Sequence, residues 1–272
     1  MTLEISILCE DQVVMGFRDR IFKGAHGLSL FIRAEKNILF DTGPSKVFLD
    51  NAAILGLDLK NLDWIALSHG HWDHTDGLAA LADRIGKKQL IAHPSVFTDR
   101  HKPTGEYNGM ALSRDAVQAA FDLELCKAPR QLTPTVYFLG QIPRINDFES
   151  RSTLFYQLDG EEKLPDFIED DTALAVKTDQ GCVVIAGCAH AGICNICDHA
   201  KAVTGQDRIH MVLGGFHLLA PGEQLDHTID YFRANPLDRL LPMHCTGFEA
   251  LCRFCCDLGA EKLSTGQTIT VG

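Results

Sequence analysis

Four potential metal ligands lie within six residues of the chain, in the order His69-Gly70-His71-Trp72-Asp73-His74. Residues two apart in an extended backbone point the same way, so we expect His69 and His71 to bind one ion. Asp73 and His74 follow at a predicted turn into a helix, where they can face a second ion. Imidazole and carboxylate donors favour zinc, although iron and manganese use the same ligands.

Two ions need further ligands from remote parts of the chain, because one short cluster leaves both under-coordinated. His190 and His244 each follow an apolar strand directly, at 183–186 and 240–243. A core histidine has little reason to be there, so we expect both residues to bind metal. His217 follows residues 213–216 in the same way and is predicted to be either a ligand or a substrate contact.

The two halves of the chain share one order of predicted elements. In the first half, a hairpin, a helix and a strand are predicted at 28–41, 45–55 and 64–67. In the second half, a hairpin, a helix, a strand, a helix and a strand are predicted at 172–186, 193–205, 209–213, 225–234 and 239–243. Both halves deliver polar residues to strand ends, which predicts two β-rich halves that meet at one site.

The segment at about 94–170 is less regular and contains several prolines and basic residues. Segments of this kind commonly shape substrate pockets, and a solvated insertion is the alternative. No linker-like stretch divides the chain, so 1–272 is predicted to be a single domain that carries this insertion.

The composition is that of an ordinary folded protein, with 46% hydrophobic and 22% charged residues. The start of the chain does not resemble a signal peptide, and no apolar run is long enough to cross a bilayer. We therefore expect a cytoplasmic protein without a membrane partner, in which the ten cysteines are reduced thiols. The net charge of −11 repels polyanions, which argues against nucleic acid and favours a small-molecule substrate.

Two groups of cysteines have the spacing of metal knuckles: Cys194 with Cys197, and Cys252 with Cys255 and Cys256. A separate structural zinc or iron–sulfur centre is one interpretation. Both groups lie on predicted amphipathic helices, where burial as small hydrophobes is the other interpretation. Cys255 in particular lines up with the apolar residues of its own helix, Phe248, Leu251 and Leu258.

The cluster at positions 69–74, the Phe40-Asp41-Thr42-Gly43 strand end and the late strand-end histidine resemble the metallo-β-lactamase superfamily. Within it, the chain is similar to the branch of the 7,8-dihydropterin-6-yl-methyl-4-(β-D-ribofuranosyl)aminobenzene 5′-phosphate synthase. The segments that carry this similarity are His26-Gly27-Leu28-Ser29, Gly140-Gln141-Ile142-Pro143-Arg144 with Phe148-Glu149, Gly187-Cys188-Ala189-His190-Ala191-Gly192-Ile193, Gly214-Gly215-Phe216-His217-Leu218 and His244-Cys245-Thr246-Gly247.

The resemblance implies an α+β fold, an αββα four-layer sandwich with a two-metal site along one edge. It assigns His69 and His71 to one ion and Asp73 and His74 to the other, with His190 and His244 completing the ligands. It places Asp41 beneath the site, where it would orient the ligands.

One departure from the family pattern concerns the ligand between the two ions. Most members end the strand at 183–186 with Gly-Asp, whereas this chain has Gly187-Cys188. Cys188 is therefore a possible bridging ligand. His190 is an alternative, and so is a carboxylate among Glu169, Asp170 and Asp171.

The predicted function is that of a metal-dependent hydrolase-type enzyme acting on a small, phosphorylated or pterin-like substrate. Metal-activated water or a metal-activated leaving group would carry the reaction, with Asp73 and His217 as the candidate catalytic residues. His26 and Arg144 are expected in the substrate pocket, Arg144 on a phosphate, although His26 also fits a turn histidine. The alternatives are a nuclease or phosphodiesterase of the same fold and a non-enzymatic metal or thiol redox sensor.

Overall fold

The structure is a computed structural model that describes residues 2–18 and 20–272. Its strands are β1 (Leu3–Cys9), β2 (Ser29–Arg33), β3 (Asn37–Phe40), β4 (Trp64–Ala66), β5 (Gln89–Ala92), β6 (Arg100–His101), β7 (Asp122–Leu125), β8 (Arg130–Gln131), β9 (Val136–Phe138), β10 (Tyr156–Asp159), β11 (Glu162–Pro165), β12 (Ala173–Thr178), β13 (Gly181–Ala186), β14 (Ile209–Gly215), β15 (Arg239–Met243) and β16 (Thr268–Val271). Its α-helices are α1 (Val47–Ile54), α2 (Trp72–Thr75), α3 (Gly77–Ala82), α4 (Arg114–Ala120), α5 (Ile193–Thr204), α6 (Glu223–Ala234) and α7 (Phe248–Leu258).

Two large sheets form the centre of the fold. One has the strand order β16-β1-β2-β3-β4-β5-β7 and the other has the order β15-β14-β13-β12-β9-β8. Neighbouring strands run parallel from β3 through β4 and β5 to β7, and again from β13 through β14 to β15. Parallel neighbours bring their carboxyl ends to the same edge of a sheet, so residues that follow these strands lie close together.

The apolar side chains of each sheet divide between its two faces, because successive residues of a strand point in opposite directions. Val183 and Ile185 of β13 pack with Leu3 and Ile5 of β1 between the sheets. Val184, on the opposite face of β13, packs in the core beneath α5 and α6. The outer face of the other sheet is covered in the same way by α1 and α3. The layers are therefore α, β, β and α, as expected.

The predicted hairpins are present as the antiparallel pairs β2 with β3 and β12 with β13. Helix α5 ends at Gly205, which adopts the left-handed conformation with φ of 68°. The prediction that Cys255 lies on a buried stripe is wrong. Helix α7 turns Ala250 and Phe254 towards the core, and it leaves Cys255 exposed and Phe248 79% exposed.

The segment at 94–170 contains more regular structure than its sequence indicates. Strand β7 extends the first large sheet, and β8 and β9 extend the second. Strands β6, β10 and β11 form a separate small sheet. Within the described residues, no helix has the length and apolar character that a membrane crossing requires.

Candidate metal centre

Most of the polar residues singled out in the sequence converge at one edge of the sandwich. The segment of His69 to His74 follows β4, and Asp41 follows β3, its parallel neighbour. From the other sheet, Cys188, His217 and His244 follow the parallel strands β13, β14 and β15. The carboxyl ends of both sheets therefore supply the site.

Several of these strand ends adopt a backbone conformation that side chains other than glycine rarely adopt. The φ angles are 58° at Asp41, 55° at Ala189, 46° at His217 and 45° at His244. Each such residue costs of the order of 1–3 kcal/mol, and residues of this kind cluster at functional sites. These strained residues stand shortly after the strands, at the points where the chain turns and the following side chains enter the cleft.

One group of possible ligands consists of His69, His71 and His190, each with a ring nitrogen within 4.8 Å of the others. His69 Nε2 and His71 Nδ1 are 2.9 Å apart. Burial is the largest cause that holds the pKa of all three imidazoles well below the ordinary value. They are therefore neutral, which is the form that binds metal. The buried Nε2 atoms of His71 and His190 have no hydrogen-bond partner within the described residues.

A second group consists of Asp73, His74 and His244. His244 Nε2 lies 3.3 Å from Asp73 Oδ2 and 3.2 Å from His74 Nε2. Burial opposes charge on both Asp73 and His244. Nevertheless, His74 and His244 lower the pKa of Asp73 well below its usual range, and hydrogen bonds to Asp11 and Asp73 raise the pKa of His244. Both pKa shifts mean that the Asp73 carboxylate stabilises positive charge at this position.

Cys188 lies between the two groups. Its Sγ atom is 3.1 Å from His74 Nε2, and it forms one ligand group with His69 and His74 and another with His244 and Cys245. Burial raises the pKa of the Cys188 thiol well above its ordinary value. The sulfur therefore lies close to candidate ligands of both groups.

The other proposed bridging carboxylates are held elsewhere. Asp170 pairs with Arg100 at 2.8 Å and accepts a hydrogen bond from the Gly70 amide at 2.7 Å. Asp171 accepts one from the Ala191 amide at 2.8 Å. Neither belongs to a ligand group in the described part of the chain, and neither does Glu169.

Asp41 lies beneath the ligands and orients two of them. His74 Nδ1 donates to Asp41 Oδ2 at 2.7 Å, and the Ser68 hydroxyl donates to the same oxygen at 2.6 Å. His69 Nδ1 lies 2.9 Å from Ser68 Oγ and completes the chain of hydrogen bonds. Since both Nδ1 atoms are occupied, the Nε2 atoms of His69 and His74 face the two ligand groups.

Sequence reasoning missed Asp11, which performs the same role for a second pair of histidines. Its carboxylate lies 2.7 Å from His244 Nδ1 and 2.9 Å from His26 Nδ1. The adjacent Glu10 accepts a hydrogen bond from the His244 amide at 2.9 Å. An acidic pair directly after β1 was the available signal, since the other site residues also follow strands.

Sequence reasoning also missed the buried ion cluster behind the first ligand group. Arg100 is 1% exposed and pairs with Asp170 at 2.8 Å and with Asp166 at 3.4 Å. Because Asp170 also holds the Gly70 amide, the cluster supports the backbone between His69 and His71.

The ligand groups open into two adjoining cavities of about 350 Å³ each. The first is lined by His26, Trp72, Asp73 and Lys102, and the second by Arg151 and several aromatic residues. Both cavities share the residues Phe155, His190, His217 and Leu219. His217 lies in the shared wall, with its ring 4.2 Å from that of His190, and it joins none of the ligand groups in the described chain.

The expectation that Arg144 binds substrate does not fit its position. Its guanidinium donates to the Phe167 and Ile168 carbonyls and to the Ser150 hydroxyl, and its side chain is absent from the lining of both cavities. These contacts hold the loops around the second cavity. His26 lines the first cavity, and its Nε2 atom lies 3.5 Å from Asp73 Oδ2.

Comparison with known proteins agrees with this geometry. A profile described as the Metallo-beta-lactamase superfamily matches residues 24–199. The chain belongs to the metallo-beta-lactamase superfamily. This match confirms the superfamily that the sequence motifs indicated.

Two curated relatives extend over most of the chain. The 7,8-dihydropterin-6-methyl-4-(beta-D-ribofuranosyl)-aminobenzene-5'-phosphate synthase of Methanocaldococcus jannaschii is 32% identical over 246 residues, which cover 84% of this chain and 83% of the synthase. An uncharacterized protein of the same organism is 32% identical over 234 residues, covering 85% and 87% of the two chains. The predicted similarity to the synthase branch is confirmed.

Solved structures confirm the sandwich fold. Tm1679, a metal-dependent hydrolase of the beta-lactamase superfamily, matches with a TM-score of 0.87 at 28% identity and covers 99% of both chains. Zn(2+)-bound PqqB from Methylobacterium extorquens matches with a TM-score of 0.58 at 13% identity and covers 98% of this chain and 99% of its own. The second match shows the shared fold alone.

Proposed function

We propose that this chain is a metal-dependent enzyme that holds two divalent ions, zinc before iron or manganese, and acts on a small phosphorylated or pterin-like molecule. The observation that carries this proposal is the pair of ligand groups that open into the two cavities. The unpartnered Nε2 atoms of His71 and His190 support it, because buried polar atoms ordinarily have partners.

The residues divide naturally between two ions. His69, His71 and His190 would hold the first, and Asp73, His74 and His244 the second, with Cys188 between them. Divalent ions bound there would supply an activated nucleophile near neutral pH and stabilise negative charge on substrate oxygens.

The side chains that border the cavity take the remaining roles. Asp73 lines the first cavity, where its carboxylate can accept a hydrogen bond from an attacking water or substrate hydroxyl and orient it. His217 lies between the two cavities and can donate a proton to the leaving group. His26, held by Asp11, can contact substrate beside Asp73.

The second cavity fits a flat ring and a phosphate. Phe148, Phe155 and Phe167 supply apolar walls, and Arg151 and Ser152 supply hydrogen-bond donors. Arg151 therefore replaces Arg144 as the proposed phosphate contact. A cavity of about 350 Å³ has the size of a small-molecule pocket, and together with the net charge of −11 it favours such a substrate over a polynucleotide.

The same residue roles can serve two reactions: hydrolysis of one substrate and bond formation between two substrates. The similar M. jannaschii protein is named a synthase, and the similar Tm1679 is described as a hydrolase. Product analysis separates the two reactions, because hydrolysis incorporates oxygen from labelled water and the synthase reaction does not.

The test combines metal analysis with a substrate screen on protein purified without added metal. The screen contains phosphate monoesters, phosphodiesters and reduced pterins paired with aryl ribosyl phosphates. We expect bound metal and turnover, and we expect His71→Ala to lose both. Cys255→Ala is the matched control, because its thiol is exposed on α7. Full metal occupancy in His71→Ala would contradict the proposal.

A further inference from the structure

Cys245 brings a second sulfur atom to the metal centre. It follows β15 directly after His244, and the Sγ atoms of Cys245 and Cys188 and a ring nitrogen of His244 all lie within 4.8 Å of one another. Cys245 also lines the first cavity. No sequence expectation assigned this thiol a role.

The backbone explains how two successive residues can both reach the cleft. Neighbouring side chains of a strand point to opposite faces, so His244 and Cys245 would ordinarily diverge. His244 instead has a φ of 45°, which interrupts the alternation at the end of β15. This strained conformation turns imidazole and thiol towards the same group of ligands.

The neighbouring strand leaves space for this sulfur. Gly215 is the last residue of β14, and a Cβ atom added there would lie 2.5 Å from Cys245 Sγ. Any larger residue at position 215 would displace the thiol or the strand. The absence of a side chain at this position therefore preserves the location of the sulfur.

A backbone donor is directed at the Cys245 sulfur. The His217 amide donates to Cys245 Sγ at 3.3 Å, and a backbone N–H stabilises an anionic acceptor more than a neutral one. A thiolate is the form of cysteine that binds metal.

We propose that Cys245 is a further ligand of the second ion, where its thiolate would join Cys188 and His244 in addition to Asp73 and His74. This inference rests on the proposed metal centre and adds a donor to it. Thiolates select thiophilic ions, so the second position would prefer zinc over manganese, which favours oxygen ligands.

Cobalt substitution tests the proposal with a readout that does not depend on activity. Thiolate ligands to Co²⁺ produce a charge-transfer absorption in the near ultraviolet, whereas d–d bands in the visible report bound cobalt whatever its donors. We expect wild-type protein to show both. Cys245→Ser should keep the d–d bands and lose roughly half of the charge-transfer absorption, because one of two thiolate donors is replaced. Cys255→Ser makes the same atomic change at an exposed position and should leave the spectrum unchanged.

The outcomes separate this inference from the proposed function. Wild-type protein that shows no d–d bands would overturn the metal centre, and the assignment of Cys245 with it. Bound cobalt whose charge-transfer absorption is the same in wild type and Cys245→Ser would overturn the assignment of Cys245 alone. Charge-transfer absorption that is lost in Cys188→Ser but not in Cys245→Ser would also overturn the assignment of Cys245 alone.

A second measurement uses the wild-type chain and therefore does not depend on the folding of a variant. Iodoacetamide alkylation followed by peptide mass spectrometry reports which thiols are free. We expect zinc to slow the alkylation of Cys245 by at least tenfold, because the ligating thiolate is no longer available. The exposed Cys252, Cys255 and Cys256 serve as internal controls with unchanged rates. Equal rates for Cys245 with zinc and with a chelator would overturn the proposal.

Discussion

His74 Nδ1 and Asp41 Oδ2 lie 2.7 Å apart, and both side chains are completely buried. The carboxylate accepts three hydrogen bonds, one from His74 and two from Ser68. Because Nδ1 of His74 is the donor, its Nε2 atom has no proton and faces the other residues of the ligand group. Residues that orient ligands in this way typically change metal affinity by about 10–100-fold.

Asp41→Asn should therefore weaken zinc binding by about 10–100-fold. The amide can still accept from the Ser68 amide, but its NH₂ group would then face His74 Nδ1. That contact favours the tautomer with a proton on Nε2, which cannot bind metal. Competition with a fluorescent chelator measures the affinity. Asp83→Asn, an identical change at an exposed position, should bind zinc like the wild type. Equal affinities in the two variants would contradict the role of Asp41.

Asp11→Asn applies the same reasoning to the second ion alone. Asp11 Oδ1 lies 2.7 Å from His244 Nδ1, whereas it contacts none of His69, His71 and His190. We expect the variant to lose about 10–100-fold in affinity for one ion and to keep the affinity for the other. Titration with zinc should change from two tight equivalents to one tight and one weak. Equal weakening of both equivalents would show that Asp11 acts on the whole site.

The site residues that follow parallel strands could be predicted because each position depends on the short stretch of sequence around it. An apolar run predicts a strand, and the carboxyl ends of parallel strands meet at one edge. This reasoning brings His190 and His244 to the site although 116 to 175 residues separate them from His69 and His74. The distances between individual atoms could not be predicted, since they depend on strained residues such as Ala189.

Contacts that depend on how separate layers pack were not predictable. Arg100 and Asp170 are 70 residues apart, and nothing in either segment indicates that they pair. Helix α7 shows a related limit. A periodic apolar pattern predicts that a helix forms. Residues adjacent in sequence differ by about 100° around a helix, so Phe254 and Cys255 face different directions. Which of the two is buried depends on where the sheet lies.

The ion pair of Arg100 with Asp170 should make a large contribution to stability. Arg100→Met keeps most of the apolar stem but leaves Asp170 and Asp166 buried without their cation. Breaking a buried pair in this way costs about 3–5 kcal/mol in the free energy of unfolding. Urea denaturation with a chelator present measures the loss without a contribution from metal.

Arg130 provides the matched control for this prediction. It pairs with Glu124 at 2.9 Å, but the two side chains are 51% and 33% exposed. Arg130→Met should therefore change the free energy of unfolding by no more than about 1 kcal/mol. A similar cost for both variants would show that burial does not determine the effect of Arg100.

Asp171 should make the stability of the protein depend on pH. Burial raises the pKa of this carboxyl from 3.8 to about 7. Between these two values the folded protein binds more protons than the unfolded chain, so the free energy of unfolding falls as pH rises from about 4 to about 7. The contribution of Asp171 to the free energy of unfolding falls by up to about 1.4 kcal/mol per pH unit between these pH values. Above about pH 7 this contribution is constant.

Asp171→Asn removes this titration and keeps an oxygen that can accept from the Ala191 amide. Denaturation at several pH values, with a chelator present, gives the stability difference between the variant and the wild type. Because all other titrating groups are common to both proteins, the difference isolates Asp171. It should grow in favour of the variant from pH 4 to pH 7 and then level off, whereas Asp83→Asn should give a small and constant difference. A difference for Asp171→Asn that does not change with pH would mean that the carboxyl is ionised in its buried position.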